Sequence, residues 1–222
     1  MISLVLAESA LELVPKKLRN HPSVISHARK LGKRNSEILL DNSWHFAAMK
    51  GIDDEKKRGR PDLVHLSMLE ATSIPLYKEN QIKIFIHTID DKVIYLGDNV
   101  HIPKSYHRFE GLIEKLFSDK IIKSENQTLL EIKENSFSDL IDEINPSTVI
   151  GFSTQGEEHT FESAALQLPD NCCIVIGGFQ KGHFSDEVQN RLNQLIAIRD
   201  TSFEAHVVVA RILYEYEKTI FM

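Results

Sequence analysis

The chain has 222 residues, a formal net charge of −6, 42% hydrophobic residues and 26% charged ones. That length suits one α/β domain, and the mix is that of an ordinary globule. No apolar run approaches the roughly 18–20 residues of a membrane span, and Met1–Leu6 lacks the basic flank of a signal peptide.

Cys172 and Cys173 are adjacent inside an apolar run, a spacing that fits neither a zinc site nor a redox pair. No metal is expected, and reduced, buried thiols point to the cytoplasm. Charge is unevenly spread. Residues 16–60 carry twelve Lys/Arg against five Asp/Glu, a net of +7, which leaves −13 for the rest. Such a split is compatible with a nucleic-acid face on an acidic protein, and equally with an uneven solvated surface.

Residues 2–7 read as a strand. Ala7–Val14 then reads as a short helix that Pro15 ends. The basic stretch Lys16–Arg34 holds a helix around Ser23–Leu31, stopped by Gly32. Glu37–Asp41 is the next expected strand and Trp44–Met49 the next helix, followed by a charged loop from Gly51 to Gly59. Arg60-Pro61-Asp62 then opens an apolar helix. Pro at the first helical position suits its fixed φ and missing N–H. An Arg and an Asp at the mouth of a buried helix must be solvated or paired, so a structural ion pair is one reading of Asp62.

Gln81–Leu96 has the pattern of a hairpin, turning at Asp90-Asp91. Ser105 can cap a helix whose Phe109, Leu112, Ile113, Leu116 and Phe117 recur at helical spacing, leaving Lys104, His107 and Arg108 near its exposed start. A strand near Leu129–Ile132 and a helix near Phe137–Ile144 follow. Val149–Thr154, Cys173–Gly178 and Leu195–Ile198 are apolar runs, and Phe203–Tyr216 is a final helix. Strands this apolar, alternating with helices, imply a parallel sheet covered on both sides. Ligands of such sheets bind at the carboxyl ends of the strands. Here those ends carry Ser153-Thr154-Gln155-Gly156, Gly177-Gly178-Phe179-Gln180-Lys181-Gly182 and Arg199-Asp200-Thr201-Ser202. The glycine loop is neither a dinucleotide fingerprint nor a P-loop, and by itself is as compatible with a tight turn.

Five segments, in order, carry a more specific signal. They are Leu39-Leu40-Asp41 with Trp44-His45 and Ala48-Met49; Arg60-Pro61-Asp62 and its helix to Ala71; Ile86-His87-Thr88 with Asp90-Asp91-Lys92-Val93; Ile102-Pro103-Lys104 with Arg108-Phe109; and Ile176-Gly177-Gly178-Phe179 with Gly182. Together they make a pattern that resembles the Nep family of ribosome-biogenesis factors, pseudouridine-N1-specific ribosomal RNA methyltransferases of the SPOUT class.

The resemblance implies a single domain over 1–222 with an α/β trefoil knot. It implies a family-specific hairpin insertion at about 80–100, and a C-terminal knot and cofactor region at about 148–222. S-adenosylmethionine would be held by Thr154, by Gly177, Gly178, Phe179 and Gly182, and by Ile196, Ala197, Ile198, Arg199, Asp200, Thr201 and Phe203. Arg199-Asp200-Thr201 replaces a more neutral segment of eukaryotic members. RNA would be held by Arg60, Asp62, His101, Lys104 and Arg108; two of these are His and Lys where other members carry Arg.

Asp62 is the carboxylate that would take the proton leaving N1, or else the group that orients Arg60. Trp44, His45 and His65 can stack on bases, although packing is the commoner role for each. The implied partners are small-subunit ribosomal RNA, a second copy of the chain in a homodimer, and small-subunit ribosomal proteins. The rival reading is an RNA-binding assembly factor without essential catalysis.

Overall fold

A computed structural model describes residues 1–125, 127–199 and 202–221. Its elements, in order, are β1 (Ile2–Ser9), α1 (Pro22–Leu31), α2 (Asn42–Met49), α3 (Pro61–Thr72), α4 (Pro75–Lys78), β2 (Ile82–Thr88), β3 (Val93–Leu96), α5 (Tyr106–Asp119), β4 (Ile121–Ser124), β5 (Gln127–Lys133), α6 (Phe137–Ile144), β6 (Thr148–His159), α7 (Phe161–Leu166), β7 (Cys172–Gly177), α8 (Asp186–Gln189), β8 (Gln194–Ile198) and α9 (Ala205–Phe221).

Among the described residues the strands form one sheet in the order β4-β5-β3-β2-β1-β7-β6-β8. Five neighbours, β2-β1-β7-β6-β8, run parallel. At the other edge β3, β5 and β4 pair antiparallel, so the sheet is mixed. The 82–96 hairpin is continuous with the main sheet, because β2 pairs with β1 from Ile2↔Ile82 to Ser9↔Thr88.

Alternation along the strands divides the core between two faces. Leu4, Leu6, Ile84, Ile86, Ile174 and Ile176 pack beneath Val64 and Met68 of α3, Phe109 and Ile113 of α5, and Val209 and Ile212 of α9. Val5, Ala7, Cys173 and Val175 meet Phe137 and Leu140 of α6 and Val188 of α8 on the other side. The basic segment builds its own small core from Val24, Ala28, Ile38, Leu40, Ala48 and Met49. Both cysteines are free and buried. Burial pushes the Cys172 thiol up to about 11.

Local chemistry explains the helix ends. His21 Nδ1 accepts the Ser23 N–H at the start of α1, Pro22 takes the first position, and Gly32 closes the helix at φ +66°. Ser136 and Asp139 form a reciprocal capping box on α6. In α3, the buried Ser67 and Thr72 hydroxyls donate to the Leu63 and Met68 carbonyls, which lets polar residues sit inside an apolar helix.

Three expectations are corrected. Residues 7–14 form no helix. β1 runs on to Ser9, and the following backbone is claimed from outside: Ala10 N–H donates to Gly178 O, and Val14 N–H to Ile38 O. The expected strand at Glu37–Asp41 is reduced to a bridge between Leu13 and Leu39, flanked by the Leu40 N–H to Glu12 O bond. The final helix extends past Tyr216 to Phe221.

Candidate active site

The carboxyl ends of β6, β7 and β8 surround a cavity of about 400 Å³. Its walls are apolar: Phe152, Ile176, Ile196, Ile198, Phe203 and Val208. Its polar residues are Ser153, Thr154, Gln180, Lys181, His183 and Ser202. This volume lies within the range of small-molecule sites, which couple apolar walls with a few fixed polar groups.

Seven of the expected cofactor residues meet here: Thr154, Gly177, Phe179, Gly182, Ile196, Ile198 and Phe203. Three do not line it. Gly178 packs on the end of β1: a Cβ there would sit 2.1 Å from Ser9 Oγ, while its N–H and C=O bond Ala7 O and Ala10 N. Ala197 is buried between the lining residues Ile196 and Ile198 but is not itself part of the wall, as strand alternation requires. Arg199 is exposed, with a left-handed φ of 57°. Asp200 and Thr201 lie outside the described residues.

Sequence reasoning missed His183, Phe184, Ala205 and Val208. The last two are on α9, whose start closes one side of the cavity; their helical spacing of three was the available signal.

The 51–60 loop reaches this cavity. Lys57 Nζ is 2.8 Å from Glu8 Oε2 and 4.8 Å from the centre of the Phe179 ring. The other Glu8 oxygen accepts the Ser185 N–H at 3.0 Å. Glu8 holds a left-handed φ of 49° at the end of β1, an uncommon conformation for a non-glycine residue and one that concentrates at functional sites. One carboxylate thus ties the loop to the 179–185 segment.

Beside it is the mouth of α3. Arg60 Nε and Nη2 donate to the two oxygens of Asp62, each at 2.8 Å, a bidentate pair of the planar-fork type. The Asp62 carboxylate keeps the Arg60 guanidinium firmly protonated, with lesser help from Glu204 and Asp41. Glu204 falls between Phe203 and Ala205 of the cavity wall, so the Arg60–Asp62 pair lies next to the cavity.

The segment carrying His101 and Lys104 is pinned to α3, because His65 Nε2 bonds Pro103 O at 2.7 Å and its ring stacks on Phe109. Tyr106 at the start of α5 donates to Asp41 Oδ2 at 2.6 Å. Burial and Asp41 raise the affinity of this phenol for its proton. His101, Lys104 and Arg108 are exposed. The expected basic residues thus lie on two chain segments, one opening α3 and one packed against it. Tyr106 was not anticipated as their organiser.

Trp44 is 45% exposed and stacks on buried His27 at 4.5 Å with Lys30 Nζ 4.4 Å from its ring, whereas His45 and His65 are buried packing residues.

A cavity with apolar walls and a few polar groups at the carboxyl ends of parallel strands, beside a charged helix mouth, is the arrangement of a small-molecule site in an α/β protein. Comparison with known proteins makes this specific. The model of the EMG1/NEP1 methyltransferase family matches residues 4–217. The chain is 39% identical to the ribosomal RNA small subunit methyltransferase Nep1 of Staphylothermus marinus over 96% of its length and 93% of that protein. It is 36% identical to the protein of the same name from Thermococcus sibiricus, over 99% of each. The crystal structure of Archaeoglobus fulgidus Nep1 bound to S-adenosylhomocysteine superposes with a TM-score of 0.87 at 33% identity, covering 97% of each chain. The chain belongs to the EMG1/NEP1 methyltransferase family.

Proposed function

We propose that this protein transfers a methyl group from S-adenosylmethionine to N1 of a pseudouridine in small-subunit ribosomal RNA. The observation that carries this reading is the contiguity of the two sites. α9 starts in the wall of the cavity, and Glu204, the residue before it, lies close enough to the mouth of α3 to act on the charge of Arg60. The residues present fit the cofactor. Apolar walls suit a purine, and the hydroxyls of Ser153, Thr154 and Ser202 with the Gln180 amide suit ribose and amino-acid groups.

S-adenosylmethionine supplies a methyl group on a positively charged sulfur. The chain must supply alignment, exclusion of water and an outlet for the N1 proton. Asp62 is the acceptor for that proton. In the free protein Arg60 occupies both of its oxygens. A phosphate of the bound RNA would draw Arg60 away, and the carboxylate would then be free to take the N1 proton as the nitrogen–carbon bond forms and the carbon–sulfur bond breaks, its electron pair staying on the departing sulfur. His101, Lys104 and Arg108 hold phosphates around the same mouth, and the target base flips out of its loop to reach the cavity.

The finer architecture belongs to the same reading. A trefoil knot is supported by the way β6 meets Ile196 of β8 twice, from Phe152 and from Glu157, before α9 returns to pack on α3 and α7. A homodimer is supported by Leu66, Leu166 and Tyr214, exposed apolar residues on those three associated helices. Work on an assembling subunit would bring small-subunit ribosomal proteins alongside. The two free thiols fit a reducing cytoplasm. Among the described residues no helix is long and apolar enough to cross a membrane.

Calorimetric titration with S-adenosylhomocysteine, followed by methylation of matched stem-loops carrying pseudouridine or uridine, tests the proposal. One site per subunit and methylation of the pseudouridine RNA alone are expected. A folded protein that binds the RNA but not the cofactor would shift the assignment to a non-catalytic assembly factor.

A further inference from the structure

A second concavity, of about 590 Å³, lies away from the cofactor cavity. Four separate stretches of chain build it: residues 12–19 after β1, Arg58, the β2–β3 turn with Asp90 and Lys92, and the end of α5 with Phe117 and Lys120. Six cations, Lys16, Lys17, Arg19, Arg58, Lys92 and Lys120, face two carboxylates, Glu12 and Asp90.

The carboxylates are already engaged. Buried Glu12 takes Arg58 Nη1 at 2.8 and 2.6 Å, and Asp90 takes Lys92 at 2.7 Å. Lys17 pairs with Asp53 across the surface, an exposed contact of little energetic weight. Among the described residues neither Lys16 nor Arg19 has an anionic partner; Arg19 is held by its Nε on Val14 O at 3.0 Å, which leaves the outer nitrogens of its fork for a ligand. Apolar walls of Leu13, Val14, Pro15 and Phe117 lower the local dielectric and focus the surplus positive field.

The position of this surplus names its ligand. Arg58 lines the concavity and Arg60 opens α3, and two residues of chain span at most about 7 Å. A polyanion held at the α3 mouth therefore continues over the concavity. We propose that it is a phosphate-binding groove for the RNA strand adjoining the target nucleotide, with Lys16 and Arg19 contacting the backbone and Arg58 shared between phosphate and Glu12. This rests on the RNA substrate proposed above and adds to it a second, sequence-independent contact surface.

The test uses the full-length protein, a stem-loop with single-stranded flanks on both sides and the same loop trimmed of its flanks. Binding is followed by fluorescence anisotropy across a potassium chloride series. Lys16→Glu, at a fully exposed position, and the double variant with Arg19→Glu are compared with wild type. On the flanked RNA the double variant is expected to bind about tenfold more weakly, with a log–log salt slope shallower by about 1–2, and Lys16→Glu alone to lose about one unit of slope. The trimmed RNA and S-adenosylhomocysteine should bind all three proteins alike. Wild-type affinity and slope in the double variant overturn the groove, as does an equal loss on both RNAs. A wild-type protein that binds neither RNA overturns the substrate assignment along with it.

Discussion

His45 Nε2 lies 3.0 Å from His27 Nδ1, and the other nitrogen of His45 accepts the main-chain N–H of Asp41. That acceptor role fixes the tautomer: Nε2 carries the hydrogen of His45 and donates it to His27. His45 cannot gain a proton at Nδ1 without losing the Asp41 N–H bond, and His27 cannot gain one at Nδ1 without losing the bond from His45. Burial lowers the affinity of His45 for a proton to a pKa of about 4, with His27 adding to the effect and Asp41 opposing it; burial lowers that of His27 as well.

A folded-state pKa below the unfolded value of 6.5 gives stability that is complete above pH 6.5 and is lost as pH falls toward 4. About two pH units at roughly 1.4 kcal/mol each put the loss on the order of 3 kcal/mol. Urea midpoints measured from pH 7.5 to 4 should fall over that window, and the fall should flatten in His45→Gln. A midpoint independent of pH across the window would refute the pairing.

Asp62→Asn keeps the shape of the α3 mouth and removes the proton acceptor. Turnover should drop by about 10²–10⁴-fold, while RNA affinity should change less than threefold, because the Arg60 that meets the phosphate is retained. Arg60→Lys retains charge but loses the fork. It should raise the RNA KM more than it lowers kcat. Wild-type turnover in Asp62→Asn would remove the carboxylate from the chemistry.

Gly178→Ala forces a Cβ to within 2.8 Å of Ser9 Cα and closer still to its hydroxyl. It should cost about 1–3 kcal/mol of stability and leave the cofactor affinity of the folded protein intact. Val208→Trp does the opposite: it projects into the cavity from a half-buried position on α9 and should abolish S-adenosylhomocysteine binding with little change in unfolding. Thermal unfolding with and without ligand separates the two.

Lys57→Ala leaves the Glu8 carboxylate, 9% exposed, without its ion-pair partner. Breaking such a pair costs about 3–5 kcal/mol, and the 179–185 segment loses its tether. Cofactor affinity should fall at least tenfold while Glu8→Gln, still able to accept the Ser185 N–H, falls less. Equal effects in the two variants would deny the ion pair its positioning role.

Much of this was legible in the sequence. The apolar runs at 149–154, 173–178 and 195–198 located the cavity strands, since strands buried on both faces leave an unbroken hydrophobic signal. Pro61 and Gly32 marked helix boundaries because their backbone restrictions are local. The misreading of residues 7–14 has the opposite cause. Leu11 and Val14 have helical spacing, but Gly178 and Ile38, the backbone partners of Ala10 and Val14, are distant in sequence. β4 went unseen because three of its four residues are exposed.

At the site, glycine invited a ligand reading equally at 177 and 178, although only Gly177 faces the cavity; which of two adjacent glycines turns inward depends on Ser9, across the sheet. The Glu8–Lys57 tether joins residues 49 positions apart and left no local trace.

Lys57, Arg58 and Arg60 sit within four positions, and each is clasped by its own acid: Glu8, Glu12 and Asp62. An incoming nucleic acid must therefore bargain for cations that already have company. The exchange that frees Glu12, a carboxylate that burial already pushes up to about 7, leaves it in a field now dominated by phosphates, and the natural remedy is a proton from solvent. Docking should accordingly draw protons out of the buffer, and a heat of binding that varies with the ionisation enthalpy of that buffer is the mark this loop would leave on the association.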